Sequence, residues 1–85
     1  MDIIELHHQL GAAYTRYHVG ADRNGAVAAL RGALGTAPAR ELARKHLASL
    51  AAIVEARTRG ARCGCYVTKT AHDLLSDALK GQDAA

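Results

Sequence analysis

Residues 36–60 limit the possible folds of this chain more than any other stretch of its sequence. Apolar residues recur there at the spacing that places them on one side of an α-helix, in a stripe wide enough to face a core. The stripe consists of Leu42, Ala43, His46, Leu47, Leu50, Ile53 and Val54. Thr36 is a typical N-cap, and Gly60 is a typical residue at a helix C-terminus. The sequence therefore predicts a long amphipathic helix around which the rest of the chain is organised.

Two shorter helical patterns precede this stretch. Asp2 can cap a first helix over about residues 3–17, and Gly20 is expected to end it by supplying a positive φ angle. A second helix is expected to start near residues 22–24 and to end at Leu34. Its other residues are mostly alanine and glycine, so a neighbouring backbone is expected to approach it closely.

The segment after the long helix is different, because residues 61–70 show no helical periodicity. Thr70 and Asp73 then form a capping pattern, which predicts a last helix over about residues 71–79. Gly81 is expected to stop that helix. We therefore expect a loop that reverses the chain, followed by a short fourth helix.

These elements predict an all-α fold: a small four-helix domain over residues 1–81 with a frayed tail at 82–85. The chain has 85 residues and contains neither Phe nor Trp, so its core must be thin and largely aliphatic. Self-association would enlarge such a core, and we expect a homodimer. The candidate interface residues are Ala48, Ala51, Ala52, Leu74 and Leu75.

Two short patterns lie in the first half of the chain: a Leu-Gly pair with an aromatic residue three positions on, and an alanine, a large apolar residue, an alanine and a proline. They are formed by Leu10, Gly11 and Tyr14, and by Ala26, Leu30, Ala33 and Pro38. At these positions the sequence resembles one tetratricopeptide repeat over residues 7–38. The resemblance implies an antiparallel helical hairpin with small residues at the crossing. No second copy of the repeat follows.

Positive charge is concentrated in one part of the chain. The formal net charge is +3, yet residues 39–69 alone carry seven basic and two acidic side chains, a net of +5. This excess indicates either a surface for nucleic acid or an acidic partner, or a solvated helix face whose arginines complement the helix C-terminus. The candidate partner-binding residues are Arg40, Arg44, Lys45, Arg57, Arg59 and Arg62.

Residues 26–45 also permit a divergent helix-turn-helix. The segment from Leu34 to Arg40 is similar to the turn and early recognition helix of that motif, in which Arg40, Arg44 and Lys45 would contact DNA. Glu41 departs from the pattern, because an inward apolar residue is normal at its position. This similarity makes a nucleic-acid-binding regulator the alternative function.

The sequence offers little for catalysis or metal binding. Cys63 and Cys65 are separated by one glycine, whereas zinc sites normally use a spacing of two to four residues. The same short spacing would strain a disulfide, so we expect a structural turn with two thiols. Five histidines are present, but no carboxylate pair, nucleophile elbow or phosphate loop accompanies them, and His46 is expected in the core. We therefore predict no catalytic, cofactor or metal residues.

The combined pattern favours a non-enzymatic interaction module: a regulator, adaptor or inhibitor that binds the surface of a partner protein. No apolar run reaches the ~20 residues that span a bilayer, so we expect no membrane partner. The first residues lack the basic start of a signal peptide, and we expect a soluble cytoplasmic protein. The two candidate functions differ in salt response, because binding to phosphates weakens steeply with salt and apolar docking does not.

Overall fold

The computed structural model describes the backbone of residues 1–60 and 65–83, and the side chains of residues 1–56 and 68–80. The described backbone forms four α-helices and no strand. They are α1 (Ile3–His18), α2 (Arg23–Ala33), α3 (Ala37–Gly60) and α4 (Cys65–Asp83). The predicted all-α fold with four helices is confirmed.

The first three helices begin at the caps that the sequence indicates. The Asp2 carboxylate accepts a hydrogen bond from the Glu5 N–H at 2.8 Å, and the Asp22 carboxylate accepts one from the N–H of Gly25 at 3.0 Å. The Thr36 hydroxyl accepts from the N–H of Ala39 at 3.3 Å. Each cap satisfies a backbone donor that has no partner inside its own helix.

The turn between α1 and α2 corrects the role predicted for Gly20. The residue with a positive φ angle is Ala21, at 51°. A Cβ atom on Gly20 would lie 2.9 Å from the backbone oxygen of Arg16, and the N–H of Asp22 donates to that same oxygen at 3.2 Å. The glycine is therefore required by a close backbone approach rather than by a left-handed conformation.

The bounds predicted for the last helix are wrong at both ends. Helix α4 starts at Cys65, and Thr70 is a buried residue inside it rather than its N-cap. The helix also continues through Gly81 to Asp83, since one glycine in a helix costs only ~1 kcal/mol relative to alanine.

The core consists of aliphatic side chains from all four helices. Its buried members are Leu6, Leu10, Ala13, Ala26, Val27, Leu30, Leu34, Ala39, Ala43, Leu50, Leu74, Leu75, Ala78 and Leu79. Leu74 and Leu75 are 1% and 0% exposed within the single chain. They are therefore inaccessible to a second copy, and their assignment as dimer-interface candidates is corrected.

Helix α4 packs against each of the other three helices, whereas α3 packs mainly against α4. The helix around which the chain is organised is thus α4 and not residues 36–60. Polar contacts add to the packing of α2 on α4: Arg23 forms an ion pair with Asp77, and Arg31 donates to the backbone oxygen of Asp77 at 3.1 Å. No helix in the described part of the chain is both long enough and apolar enough to cross a lipid bilayer.

Candidate functional site

A groove separates α1 from α3, and α4 contributes its remaining wall. It has a volume of about 330 Å³ and is open to solvent. The lining residues are His7, Leu10, Gly11, Tyr14, His46, Leu50, Thr68 and Ala71. We call this feature the α1–α3 groove.

The groove exists because α1 and α3 both pack on α4 but scarcely contact each other. Small side chains keep it open. A Cβ atom on Gly11 would meet no atom within 4 Å, so this position borders empty space. The same is true of Gly32 on α2. At Gly11 and Gly32, therefore, no neighbouring backbone approaches closely.

His7 and His46 face each other across the groove. Their ring centroids are 4.9 Å apart, and the ring planes are inclined at 49°. Burial lowers the pKa of His46 below its ordinary value, and the charge of the nearby His7 lowers it further. His46 is therefore neutral at pH 7. The sequence predicted that His46 lies in the core. The structure instead places it half-buried at the side of the groove.

The lining of the groove is mostly apolar. Among the residues that the structure describes, its lining includes no Asp, Glu, Lys or Arg side chain. Tyr14 is half-buried, and its ring stacks on that of His18 with centroids 5.3 Å apart and planes within 10° of parallel. The site can thus accept apolar groups, with imidazole and phenol groups available for hydrogen bonds.

The predicted basic residues lie elsewhere, and Arg40 and Lys45 make contacts within the protein. Arg40 is half-buried and donates a hydrogen bond to the backbone oxygen of Leu34 at 3.2 Å. The Lys45 ammonium lies 3.8 Å from the carboxylate of Glu41, four residues before it on α3. The remaining described member, Arg44, is exposed on α3. The side chains of Arg57, Arg59 and Arg62 lie outside the described residues.

The predicted helix-turn-helix segment has the expected connection but not the expected packing. Residues 34–36 join α2 to α3 and include Gly35, as such turns often do. However, the two helices make few contacts with each other, because α2 packs on α1 and α4. The segment therefore lacks the closely packed helix pair that holds a recognition helix in place.

Other predicted features can be located only in part. Ala48, Ala51 and Ala52 are exposed on α3, as an interface between copies would require. The side chains of Cys63 and Cys65 fall outside the described residues. Within the part of the chain whose side chains are described, no three His, Cys, Asp or Glu residues are placed to hold a metal ion.

Sequence reasoning missed the groove, because its residues come from three helices that meet only in the folded chain. One signal was present: His7 and Tyr14 are two turns apart on one face of α1, and His46 and Leu50 are one turn apart on one face of α3. Comparison with protein-family models, with curated proteins and with solved structures finds no match for this chain. The resemblance to a tetratricopeptide repeat stays a prediction.

Proposed function

We propose that this protein is a small, non-enzymatic interaction module that binds an amphipathic helix of a partner protein in the α1–α3 groove. The observation that carries the proposal is the lining of the groove, which is mostly apolar and includes no Asp, Glu, Lys or Arg among the described residues. Removing apolar side chains from water on such a surface favours binding, and the described lining has no Lys or Arg to neutralise a phosphate.

A helix suits this groove because the walls are themselves helices. A helical segment lying over the groove would pack on α1 and α3 as a further member of the bundle. The volume of about 330 Å³ is near the lower end of the range for ligand pockets, so it accepts a few anchor side chains rather than a whole domain. Helix-in-groove partners present such anchors at spacings of three, four and seven residues.

Exposed apolar residues continue both walls beyond the groove. Ile3 lies one turn before His7 on α1 and is 43% exposed. Ile53 lies close to one turn after Leu50 on α3 and is 42% exposed. These side chains extend the apolar faces along each helix, and a docked helix would bury them.

The second candidate is a nucleic-acid-binding regulator, which the net positive charge of residues 39–69 favours. We rank it lower because Arg40 caps α2 and Lys45 is paired with Glu41. Both groups would have to leave these partners to contact phosphates. A protein partner needs no such rearrangement at the groove.

Self-association is part of the same proposal. Ala48, Ala51 and Ala52 form an exposed patch of small side chains on α3, away from the groove lining. Small residues allow the backbone of a second helix to approach closely, so a homodimer could form while the groove stays accessible. Sedimentation equilibrium tests this: a dimer at micromolar concentration supports it, and a monomer well above that concentration contradicts it.

The function is tested by capture from an extract of the native host, with and without nuclease, at 50 and 200 mM salt. We expect a protein that remains bound after nuclease treatment and at the higher salt concentration. Material released by nuclease, or lost by orders of magnitude between the two salt concentrations, would contradict the proposal and favour nucleic-acid binding.

A further inference from the structure

The two histidines of the groove come from helices that otherwise barely contact each other. His7 is on α1 and His46 is on α3, and both helices are held in place by α4. With ring centroids 4.9 Å apart, the imidazoles are close enough to share a ligand. We infer that His7 and His46 form a two-ligand binding site for a divalent transition-metal ion of the zinc and nickel class.

The separation of the rings fits chelation. A zinc–nitrogen bond is about 2.0–2.1 Å long, so the metal lies about 3.2 Å from the centre of each bound imidazole ring. For nitrogen–metal–nitrogen angles of about 90–110°, the two ring centres are then about 4.5–5.2 Å apart. The observed 4.9 Å lies inside that interval. The two helices therefore hold the imidazole rings at a separation that suits binding to one ion.

The surroundings give an ion access to the site and define its class. His7 is exposed and His46 is half-buried, and the groove beside them is open to solvent. Imidazole nitrogen suits zinc, nickel and copper, whereas magnesium and calcium require oxygen ligands. The lining offers no carboxylate among the described residues, so the site should discriminate against magnesium and calcium.

The coordination would be completed by water. Over the described side chains no third His, Cys, Asp or Glu joins the pair, so water would occupy the other coordination positions. An open coordination position is typical of zinc sites that are not purely structural. The ion would link α1 to α3 across the groove, so metal binding should stabilise the fold. This inference does not depend on the proposed function.

The test is thermal unfolding of the full chain with zinc, nickel or magnesium. It is done in a background with Cys63→Ser and Cys65→Ser, so that thiols do not bind the metal. We expect zinc and nickel to raise the unfolding midpoint by about 4–8 °C when the free ion exceeds its dissociation constant about fivefold. Magnesium should have no effect. His7→Gln and His46→Gln should each abolish the shift. The matched control is His8→Gln, which changes an exposed neighbouring histidine and should retain the shift.

NMR of the histidine ring protons provides a second test, which needs no histidine variant to fold. It uses the same protein with Cys63→Ser and Cys65→Ser. Substoichiometric paramagnetic nickel should broaden the signals of His7 and His46 first, and those of His8 and His72 later. Equal broadening of all histidines would overturn the inference. So would an unchanged midpoint with millimolar zinc or nickel, or a shift that both glutamine variants retain.

Discussion

Arg40, in the first turns of α3, donates a hydrogen bond from its Nη1 to the backbone oxygen of Leu34 at 3.2 Å. Leu34 is the C-cap of α2, where carbonyl groups lack partners inside the helix and the helix dipole is negative. The guanidinium group thus connects the start of one helix to the end of the preceding one. Arg40, which the sequence predicts as a candidate DNA contact, therefore has a structural role in joining α2 to α3.

The Arg40 contact predicts a loss of stability. Arg40→Ala should lower the free energy of unfolding by about 0.5–1.5 kcal/mol, because a half-buried carbonyl loses its donor. The matched control is Lys45→Ala, which removes only an exposed pair with Glu41 and should cost about 0.3–0.5 kcal/mol or less. Urea unfolding measures both values. Equal effects of the two substitutions would show that the Arg40 contact has no special importance.

Two glycines should respond in opposite directions to replacement by alanine. Gly32→Ala should raise the free energy of unfolding by about 0.5–1 kcal/mol, because its Cβ would enter open space within a helix. Gly20→Ala should lower it by about 1 kcal/mol or more, because its Cβ would lie 2.9 Å from the backbone oxygen of Arg16. Thermal unfolding monitored by circular dichroism measures both. A stabilised Gly20→Ala variant would contradict the described turn.

The ion pair between Arg23 and Asp77 predicts a pH dependence. The hydrogen bond from Arg23 holds the pKa of Asp77 below its ordinary value. The folded state therefore binds this proton less readily than the unfolded chain. The resulting stability is present above the ordinary aspartate pKa near 4 and is lost as the pH falls through the lower pKa of the folded state.

Asp77→Asn should accordingly be less stable than the parent by ~0.2–1 kcal/mol at pH 7, a range set by the partial exposure of the pair. The difference should shrink as the pH is lowered below 4. Urea unfolding at pH 7, 4 and 3 measures it, and Glu41→Gln on α3 serves as a surface control. A difference that stays constant over this range would contradict the assigned pairing.

The parts of the fold that were predictable from sequence depend on short-range chemistry. The caps at Asp2, Asp22 and Thr36 each need only a side chain and an N–H three residues later, and all three are observed. The start of α4 was missed because a threonine followed by an aspartate three residues later fits a cap and also fits a helix interior. Which arrangement forms depends on the burial of Thr70 against the rest of the core, a tertiary effect.

The groove could not be predicted in the same way. His7 and His46 are each unremarkable on their own helices, and only the packing of α1 and α3 on α4 brings their rings together. Gly11 likewise gives no local sign that it borders a cavity rather than a close helix crossing. These properties depend on the relative placement of helices, which periodicity along one helix does not encode.

Filling the α1–α3 groove tests most directly the proposal that this groove binds the partner. Gly11→Leu should place a large side chain in the groove without harming the fold, because Gly11 borders open space within α1. Gly32→Leu is the matched control, since it makes the same change at an open helical glycine outside the groove lining. Both variants should remain folded by circular dichroism.

The decisive measurement is the affinity of the captured partner for the parent protein and the two variants, determined by titration calorimetry. We predict that Gly11→Leu weakens binding at least tenfold, while Gly32→Leu binds as tightly as the parent. Equal affinity of the folded Gly11→Leu variant and the parent would contradict the assignment of the groove as the binding site.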